Sequence, residues 1–524
     1  MERKLPIGVQ SFESLIADGF LYVDKTEYIY SIVHSGKQYF LSRPRRFGKS
    51  LLLSTMKAYW EGKRELFHGL AIEKLEADNP DAWQPYPVFY FDFNGRNYHE
   101  TPLEDVLSSL LRDWEAVYGT NDHPASIGER FEKLLMRAAA QTGRKCVVLV
   151  DEYDKPLLET MENASREEHN KTVFKSFFSV LKKADACLQF VFITGVTKFS
   201  KVSIFSDLNQ LRDISMSLDY AELCGITKVE LQEYFSPEIR ALADAQGMTV
   251  EACLEELRRT YDGYHFHPKA SGVYNPFSLL NAFADKDFGA YWFATGTPTF
   301  LVRRIRATGF EIQKFTDRTL YADAASLSDY RADNPDLTPL LYQTGYLTIL
   351  DYDERRKRYT LGFPNEEVQY GFLKSLMPVY TPASVAGTGV DIYTLDDYIE
   401  SGNTDGVRDI LTALFASIPY TAGDRPFEHY FQAVIYLVFT LLGKFCQCEM
   451  HTYTGRIDCS VQTQDYIYLF EFKRDSSAAE ALAQINSKEY SLPFIADSRT
   501  LYKIGVSFDS ESRKLTDWAV DTDD

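Results

Sequence analysis

The stretch that most constrains this chain is residues 38–50, QYFLSRPRRFGKS: a short apolar strand, a basic loop, and then Gly48, Lys49 and Ser50 opening an amphipathic helix. A helix that begins this way has first-turn amides without backbone partners, and they point at whatever anion lies in front of them. Lys49 is spaced to reach the β and γ phosphates of a nucleotide, and the Ser50 hydroxyl to take Mg²⁺. Glycine-rich phosphate loops place a glycine five residues before Gly48, where this chain has Arg43. A GKS triplet alone also marks plain helix starts, so the reading needs a second half.

Residues 146–150 supply it. They form a continuous apolar run of the buried parallel type that ends in Asp151 and Glu152. An acid at the end of such a strand can hold Mg²⁺, and a glutamate after it can orient an attacking water. A core strand capped by solvated acids is the plainer alternative. Apolar runs also begin at Gln38, Val88 and Gln189, with helical stretches between them. That alternation predicts an α/β fold, a parallel sheet wound with right-handed crossovers. Thr194 ends the fourth run, where it either senses a γ-phosphate or simply caps a strand.

Four segments carry a resemblance: YVDKT (22–26), SRPRRFGKSL (42–51), VDEYDKP (150–156) and FITGVTKFS (192–200). They resemble the bacterial and archaeal AAA-ATPase-like family that carries a C-terminal PD-(D/E)xK nuclease-type domain, and the resemblance covers nearly the whole chain. In that family the loop also begins with Arg-Pro, so Arg43 departs from the general pattern only. The resemblance implies ATP and Mg²⁺ as cofactors. It assigns Arg45, Arg46, Phe47, Gly48, Lys49, Ser50, Asp151 and Thr194 to the nucleotide and Glu152 to catalysis. Residues 1–37 are expected to pack beside the nucleotide, with Asp24 or Thr26 starting a helix. Lys198 and Arg212 are candidate charge stabilisers from the same or a neighbouring subunit, which allows for a homo-oligomer.

The C-terminal region holds GRIDC (455–459), YLFEFKRD (468–475) and a helix containing AQINSKEY (483–490), so Asp458, Glu471 and Lys473 stand as D-x12-E-x-K. Side chains alternate along a strand, so Glu471 and Lys473 share a face. A two-residue turn at Gln464 and Asp465 would set Asp458 across from Glu471. Opposed Cβ atoms lie roughly 4.5–5.5 Å apart, close enough for both carboxylates to ligate one Mg²⁺. Two like charges in such a position repel, and a cation between them removes the repulsion. The three residues match the PD-(D/E)xK signature. By resemblance Asp458 and Glu471 are metal ligands, Lys473 positions the attacking water, Glu428 is the additional acid of the first helix, and Gln484 follows on the next. A salt-bridged surface hairpin is the alternative.

Between the two motifs the pattern turns mainly helical, with YDGYHF (261–266) and VYNPFSLL (273–280) resembling the family's second segment. Residues 340–350 and 359–363 then predict a helix with a two-stranded wing. Residues 377–397, rich in Pro, Gly, Thr and Ala, read as a linker. The expected domains are therefore a P-loop domain at 1–225, a helical lid and winged-helix-like region at 226–384, and an α/β restriction-endonuclease-like domain at 385–524.

With 524 residues, 45% apolar and 14% aromatic, the chain can bury several cores. A formal net charge of -19 excludes nonspecific adhesion to nucleic acid by the whole surface, so any contact with DNA or RNA is local. The clearest basic cluster, Arg43, Arg45, Arg46 and Lys49, is accounted for by nucleotide phosphates. Seven scattered cysteines without a CxxC fit a reducing cytoplasm. Cys446, Cys448, His451 and Cys459 would allow a zinc site, with inward packing as the alternative. No signal sequence opens the chain, and its longest apolar stretch, 433–442, is too short for a membrane span. The leading expectation is a Mg²⁺-dependent DNA nuclease regulated or driven by ATP, in genome defence or mobile-element maintenance. The alternatives are a nucleotide switch whose nuclease-like domain only binds nucleic acid or a protein partner, and a signalling or scaffold ATPase.

Overall fold

Five strands in the first half of the chain form one sheet: β1 (Gln38–Ser42), β2 (Val88–Asp92), β3 (Cys146–Asp151), β4 (Leu188–Gly195) and β5 (Arg212–Asp213). Their order is β2-β3-β4-β1-β5, and every neighbouring pair runs parallel. All six residues of β3 are buried, as a strand covered on both faces requires. Helices such as Lys49–Trp60, Leu103–Tyr118 and Ile127–Thr142 make the crossovers and supply the cover. Phe89 and Phe91 pack on Trp114 and Phe131, with Phe177 beyond. The register brings Asp92 beside Asp151 and Ser42 beside Gly195, so the carboxyl ends of β2, β3, β4 and β1 form one edge. Open α/β sheets bind ligands in the crevice outside that edge.

This computed structural model describes residues 3–121, 123, 125–161, 163–199, 210–294, 301–302, 304–305, 320–328, 336–380, 392–416, 427–442, 445–451, 455–509 and 514–523. The chain divides into two compact units, Met1–Thr295 with Tyr321–Glu367, and Gly296–Leu320 with Val368–Asp524. In the first unit the sheet is followed by a short antiparallel pair, β6 (Ile226–Thr227) with β7 (Val273–Tyr274), and by helices Lys228–Tyr234, Ser236–Ala245, Val250–Tyr261 and Pro276–Asp285. Leu231, Phe235, Leu242, Leu257 and Phe283 make their core, and Leu5, Ile7, Leu21 and Val23 from the start of the chain pack against it. The expected helix and wing are helix Thr338–Gln343 and the antiparallel pair β9 (Thr348–Asp353) and β10 (Arg358–Gly362), with β8 (Leu320–Ala322) as a third strand beside β10.

The second unit is built on a mixed sheet of β11 (Phe445–His451), β12 (Arg456–Gln462), β13 (Tyr466–Arg474), β14 (Thr500–Phe508) and β15 (Leu515–Asp523), in that order. Only β13 and β14 run parallel, and helix Ala478–Ser487 makes the crossover between them. Gly505 allows this helix to lie directly on β14, because a Cβ there would stand 2.1 Å from the Ala478 carbonyl oxygen. The segment read as a linker, 377–397, is helical at both ends, in Glu366–Tyr380 and Ile392–Glu400. The physical reason is burial: Leu376, Leu395 and Ile399 are in the core and draw their turns in with them. Residues 381–391 lie outside the described part. Among the described residues no helix is long and apolar enough to cross a membrane.

Candidate functional site

At the carboxyl edge of the first sheet the loop after β1 turns into helix Lys49–Trp60 at Gly48, whose φ of 88° lies in the left-handed region that glycine holds without strain. Lys49 is buried, and its Nζ donates to the carbonyl oxygens of Arg43 and Pro44 at 3.0 Å each. Asp151, at the end of β3, accepts a hydrogen bond from Thr194 Oγ1 at 2.8 Å. Burial pushes the Asp151 carboxyl up from the usual range, while hydrogen bonds from Ser50 and Thr194 and the charge of Lys49 pull it back. The structure therefore brings Lys49, Ser50, Asp151 and Thr194 together. Glu152 follows with a φ of 49°, and Lys155 Nζ stands 3.9 Å from its carboxylate while donating to Asn94 Oδ1 at 3.1 Å. A cavity of about 410 Å³ opens here, lined among others by Gly8, Tyr22, Arg46, Lys49, Glu152 and Phe277.

The basic cluster does not act as one group. Arg45 and Arg46 are exposed on the loop and Phe47 is buried, but Arg43 is 1% exposed and turned away from the cavity. Its guanidinium donates to the carbonyls of Ser42, Ser215 and Tyr220 at 2.7–2.9 Å and lies 3.9 Å over the Phe266 ring. The phosphate explanation given above therefore fails for Arg43, whose charge is spent on carbonyl groups of the core. Lys198 pairs with Asp213 at 2.7 Å, and Arg212 is exposed with its guanidinium 5.8 Å from the Tyr220 ring.

Sequence reasoning missed Asp154. It is 1% exposed, has its carboxyl pushed up by burial, and accepts from Val196 N, Thr197 N and Thr197 Oγ1, the last two at 2.6 and 2.7 Å. Tyr153 adds to the same seam, its hydroxyl donating to Thr197 O and accepting from Phe199 N at 3.0 Å each. Together they lock the turn carrying Glu152 to the turn after Thr194. The third acid of VDEYDKP was the available signal, but its partners lie more than forty residues further along the chain.

In the second unit β12 and β13 pair as Cys459 with Phe470 through Gln462 with Ile467. Thr463 N donates to Tyr466 O at 2.9 Å, leaving Gln464 and Asp465 at the tip as expected. The same register continued one step sets Asp458 against Glu471. Both are buried, at 7% and 2% exposure. Asp458 Oδ2 accepts from Phe472 N at 2.8 Å. Lys473 Nζ lies 3.4 Å from Glu471 Oε1 and 2.6 Å from Gln484 Oε1, and Gln484 Nε2 donates to the same Glu471 oxygen. The other oxygen, Glu471 Oε2, is buried and has no side-chain donor among the described residues, while the Asp458 backbone N–H helps hold the carboxyl down. Burial, helped by the charge of Asp458 and opposed by Lys473, pushes the Glu471 carboxyl up to about 8. Asp458, Glu471, Lys473 and Gln484 thus form one cluster. Glu428 falls in the first turn of helix Phe427–Leu441, and its side chain lies outside the described part.

Cys446 Sγ and Cys459 Sγ are 3.6 Å apart and buried, while the side chains of Cys448 and His451 lie outside the described part. Among the described residues no three His, Cys, Asp or Glu side chains are grouped to hold a metal. Two carboxylates are enough for Mg²⁺, which keeps several waters and takes one or two protein acids.

Comparison with known proteins agrees with this division. Residues 6–205 match the family described as predicted AAA-ATPase, and residues 426–518 match the PD-(D/E)XK nuclease superfamily. The chain is 36% identical over 534 residues to an uncharacterised protein encoded in the vnfD 5′ region of Azotobacter chroococcum mcd 1, covering 99% of each. Among solved structures, the ORC2 protein of Aeropyrum pernix in its ADPNP and ADP complexes aligns with 67% of this chain and 92% of its own, at 11% identity and a TM-score of 0.24. With its sheet, its phosphate loop and its C-terminal acidic hairpin, the chain belongs to the AAA-ATPase-like family that ends in a PD-(D/E)XK nuclease-superfamily domain.

Proposed function

We propose that the protein binds and hydrolyses ATP with Mg²⁺ in its first unit and cleaves phosphodiester bonds of DNA, with RNA as the second substrate to test, at the carboxylate hairpin of its second. The setting that suits this pairing is genome defence or mobile-element maintenance in the cytoplasm. The observation that carries the nuclease reading is the pair of buried carboxylates, Asp458 opposite Glu471, in which Glu471 Oε2 has no side-chain donor among the described residues and Lys473 sits at the other oxygen. Two buried carboxylates set against one lysine are costly, and a divalent cation is the partner that fits.

Asp458 and Glu471 would hold Mg²⁺, and Ser50 and Asp151 would hold it with the nucleotide. Bound there, Mg²⁺ supplies charge neutralisation of the phosphate and acidifies the attacking water. The chain's own residues do the rest. Lys473, held by Gln484 and Glu471, keeps a positive charge at one end of the acid pair and orients the nucleophile. Lys49 leaves its two loop carbonyls for phosphate oxygens, and Thr194 orients Asp151. Glu152 orients water, and the Tyr153 and Asp154 bonds keep its turn in place. The chain is taken as a nucleotide domain at 1–225, a helical and winged region at 226–384 and a nuclease-like domain at 385–524.

The net charge of -19 favours a second reading, in which the C-terminal domain binds a protein partner and the ATPase acts as a switch. A cleavage assay on single- and double-stranded DNA and on RNA, with and without Mg²⁺ and ATP, separates the two. Metal-dependent cleavage lost in Asp458→Ala supports the nuclease. Its absence on every substrate, with ATP turnover intact, supports the switch.

A further inference from the structure

All five residues of the RPRRF loop are held from outside by two later segments of the same unit, residues 264–292 and 345–346. Arg43 lies on the Phe266 ring at 3.9 Å. Pro44 abuts Gly345, where a Cβ would stand 2.6 Å from the Pro44 Cβ and where φ is +89°. The carbonyl of Arg45 accepts from Trp292 Nε1 at 3.2 Å. The guanidinium of Arg46 is 4.7 Å over the Phe277 ring. Phe47 packs edge-on against Tyr264 and Phe266, with centroids 4.7 and 5.6 Å away. Trp292 is itself fixed, because its backbone N–H donates to the buried carboxylate of Glu367 at 2.7 Å and its ring meets Tyr346 edge-on at 5.2 Å.

A glycine-rich loop takes its cradle shape from its own backbone freedom. Between β1 and Gly48 this loop has no glycine, and Arg46 holds a φ of 66°. A side-chain-bearing residue keeps that conformation only where its surroundings impose it. The two carbonyls that hold Lys49 are those of Arg43 and Pro44, the residues seated on Phe266 and against Gly345.

We infer that segments 264–292 and 345–346 form a positioning element of the phosphate loop, with Phe266, Trp292 and Gly345 setting where Lys49 and the loop amides stand. The inference rests on the nucleotide-site reading. By linkage, a ligand that moves the loop also moves its grip, so these two segments report the β and γ phosphates to the rest of the unit.

The test is calorimetric affinity for ATP and for AMP, which lacks those two phosphates, in the full chain and in Lys49→Ala, Trp292→Phe, Phe266→Leu and Gly345→Ala. Trp292→Phe removes the indole hydrogen bond and keeps an aromatic ring at that place, so ATP affinity should fall about fivefold while AMP affinity holds. Phe266→Leu should act in the same direction, and Gly345→Ala, which pushes on Pro44, more strongly. Loss of fold would lower both affinities together, so a falling ATP-to-AMP ratio is the signature of positioning. If Trp292→Phe and Phe266→Leu keep the parent ratio within about twofold, with Lys49→Ala unable to bind ATP, the grip is scaffold and the inference is wrong. If the parent chain itself binds no ATP, the nucleotide-site reading falls and this inference with it.

Discussion

The two sites each centre on a buried acid, Asp151 in the first unit and Glu471 in the second, and they solve the same problem in opposite ways. Asp151 is 1% exposed, yet Thr194 and Ser50 donate to it and Lys49 is near enough to lower its carboxyl. Glu471 is 2% exposed, shares one oxygen between Lys473 and Gln484, leaves the other without a side-chain donor among the described residues and faces Asp458. The first site is organised by protein donors before any ligand arrives. With both acids ionised, the second sets two carboxylates against one lysine, a charge imbalance, so it should answer to metal far more sharply than the first.

The comparison is broken most directly by deleting one residue on each side. Asp458→Ala should lower Mg²⁺-dependent cleavage by about a thousandfold while leaving ATP turnover at the parent rate, since it removes one of the two carboxylates proposed to hold the metal. Lys49→Ala should abolish ATP binding by calorimetry. Cleavage that survives Asp458→Ala, or ATP affinity that survives Lys49→Ala, removes that site from the comparison. Glu152→Gln is the next largest effect. It should bind ATP as tightly as the parent and turn it over about a hundredfold more slowly, because it loses only the group proposed to orient water. Weaker binding with unchanged turnover would give Glu152 a structural role instead.

How much of this contrast was legible beforehand depends on the range of the contacts. The hairpin register follows from a two-residue turn and strand alternation, so the Asp458, Glu471 and Lys473 face could be read from the chain, and the four long strands of the first sheet could be read from apolar runs. The inward turn of Arg43 could not. Its partners Ser215, Tyr220 and Phe266 are contributed by segments 172 residues or more away, and composition saw only another arginine in a basic loop. Asp154 was hidden for the same reason. The bonding of the two Glu471 oxygens depends on where Gln484 reaches from the next helix, which the strand pattern does not specify.

A finer test uses pH. The Glu471 carboxyl is pushed up to about 8 by burial and by Asp458, above its ordinary value of 4.5. Between those two values the folded protein holds a proton that the unfolded chain has released, so without metal stability falls as pH rises through that window. Thermal melts in EDTA should show this decline, and Mg²⁺ should reverse it most at the alkaline end by displacing the proton. Glu471→Gln should flatten the profile, with its gain over the parent large at pH 8 and small at pH 5. Equal slopes in the two proteins would mean that the charge imbalance is already relieved within the protein, and the proposed contrast with Asp151 would lose its basis.

The smallest expected effect tests the other half of the contrast. Thr194→Val removes one donor to Asp151 and keeps the shape of the side chain, leaving the Ser50 hydrogen bond and the Lys49 charge in place. A site with several donors should tolerate that loss, so ATP affinity in Mg²⁺ at pH 7.5 should drop only about fivefold. Because a donor that held the carboxyl down is gone, Asp151 should take up its proton at a higher pH than in the parent, and the acid limb of MgATP binding should move upward. Fluorescence titrations at a series of pH values would show both changes. A loss as large as that of Lys49→Ala would mean that Thr194 alone keeps Asp151 ionised, and then the first site is as fragile as the second.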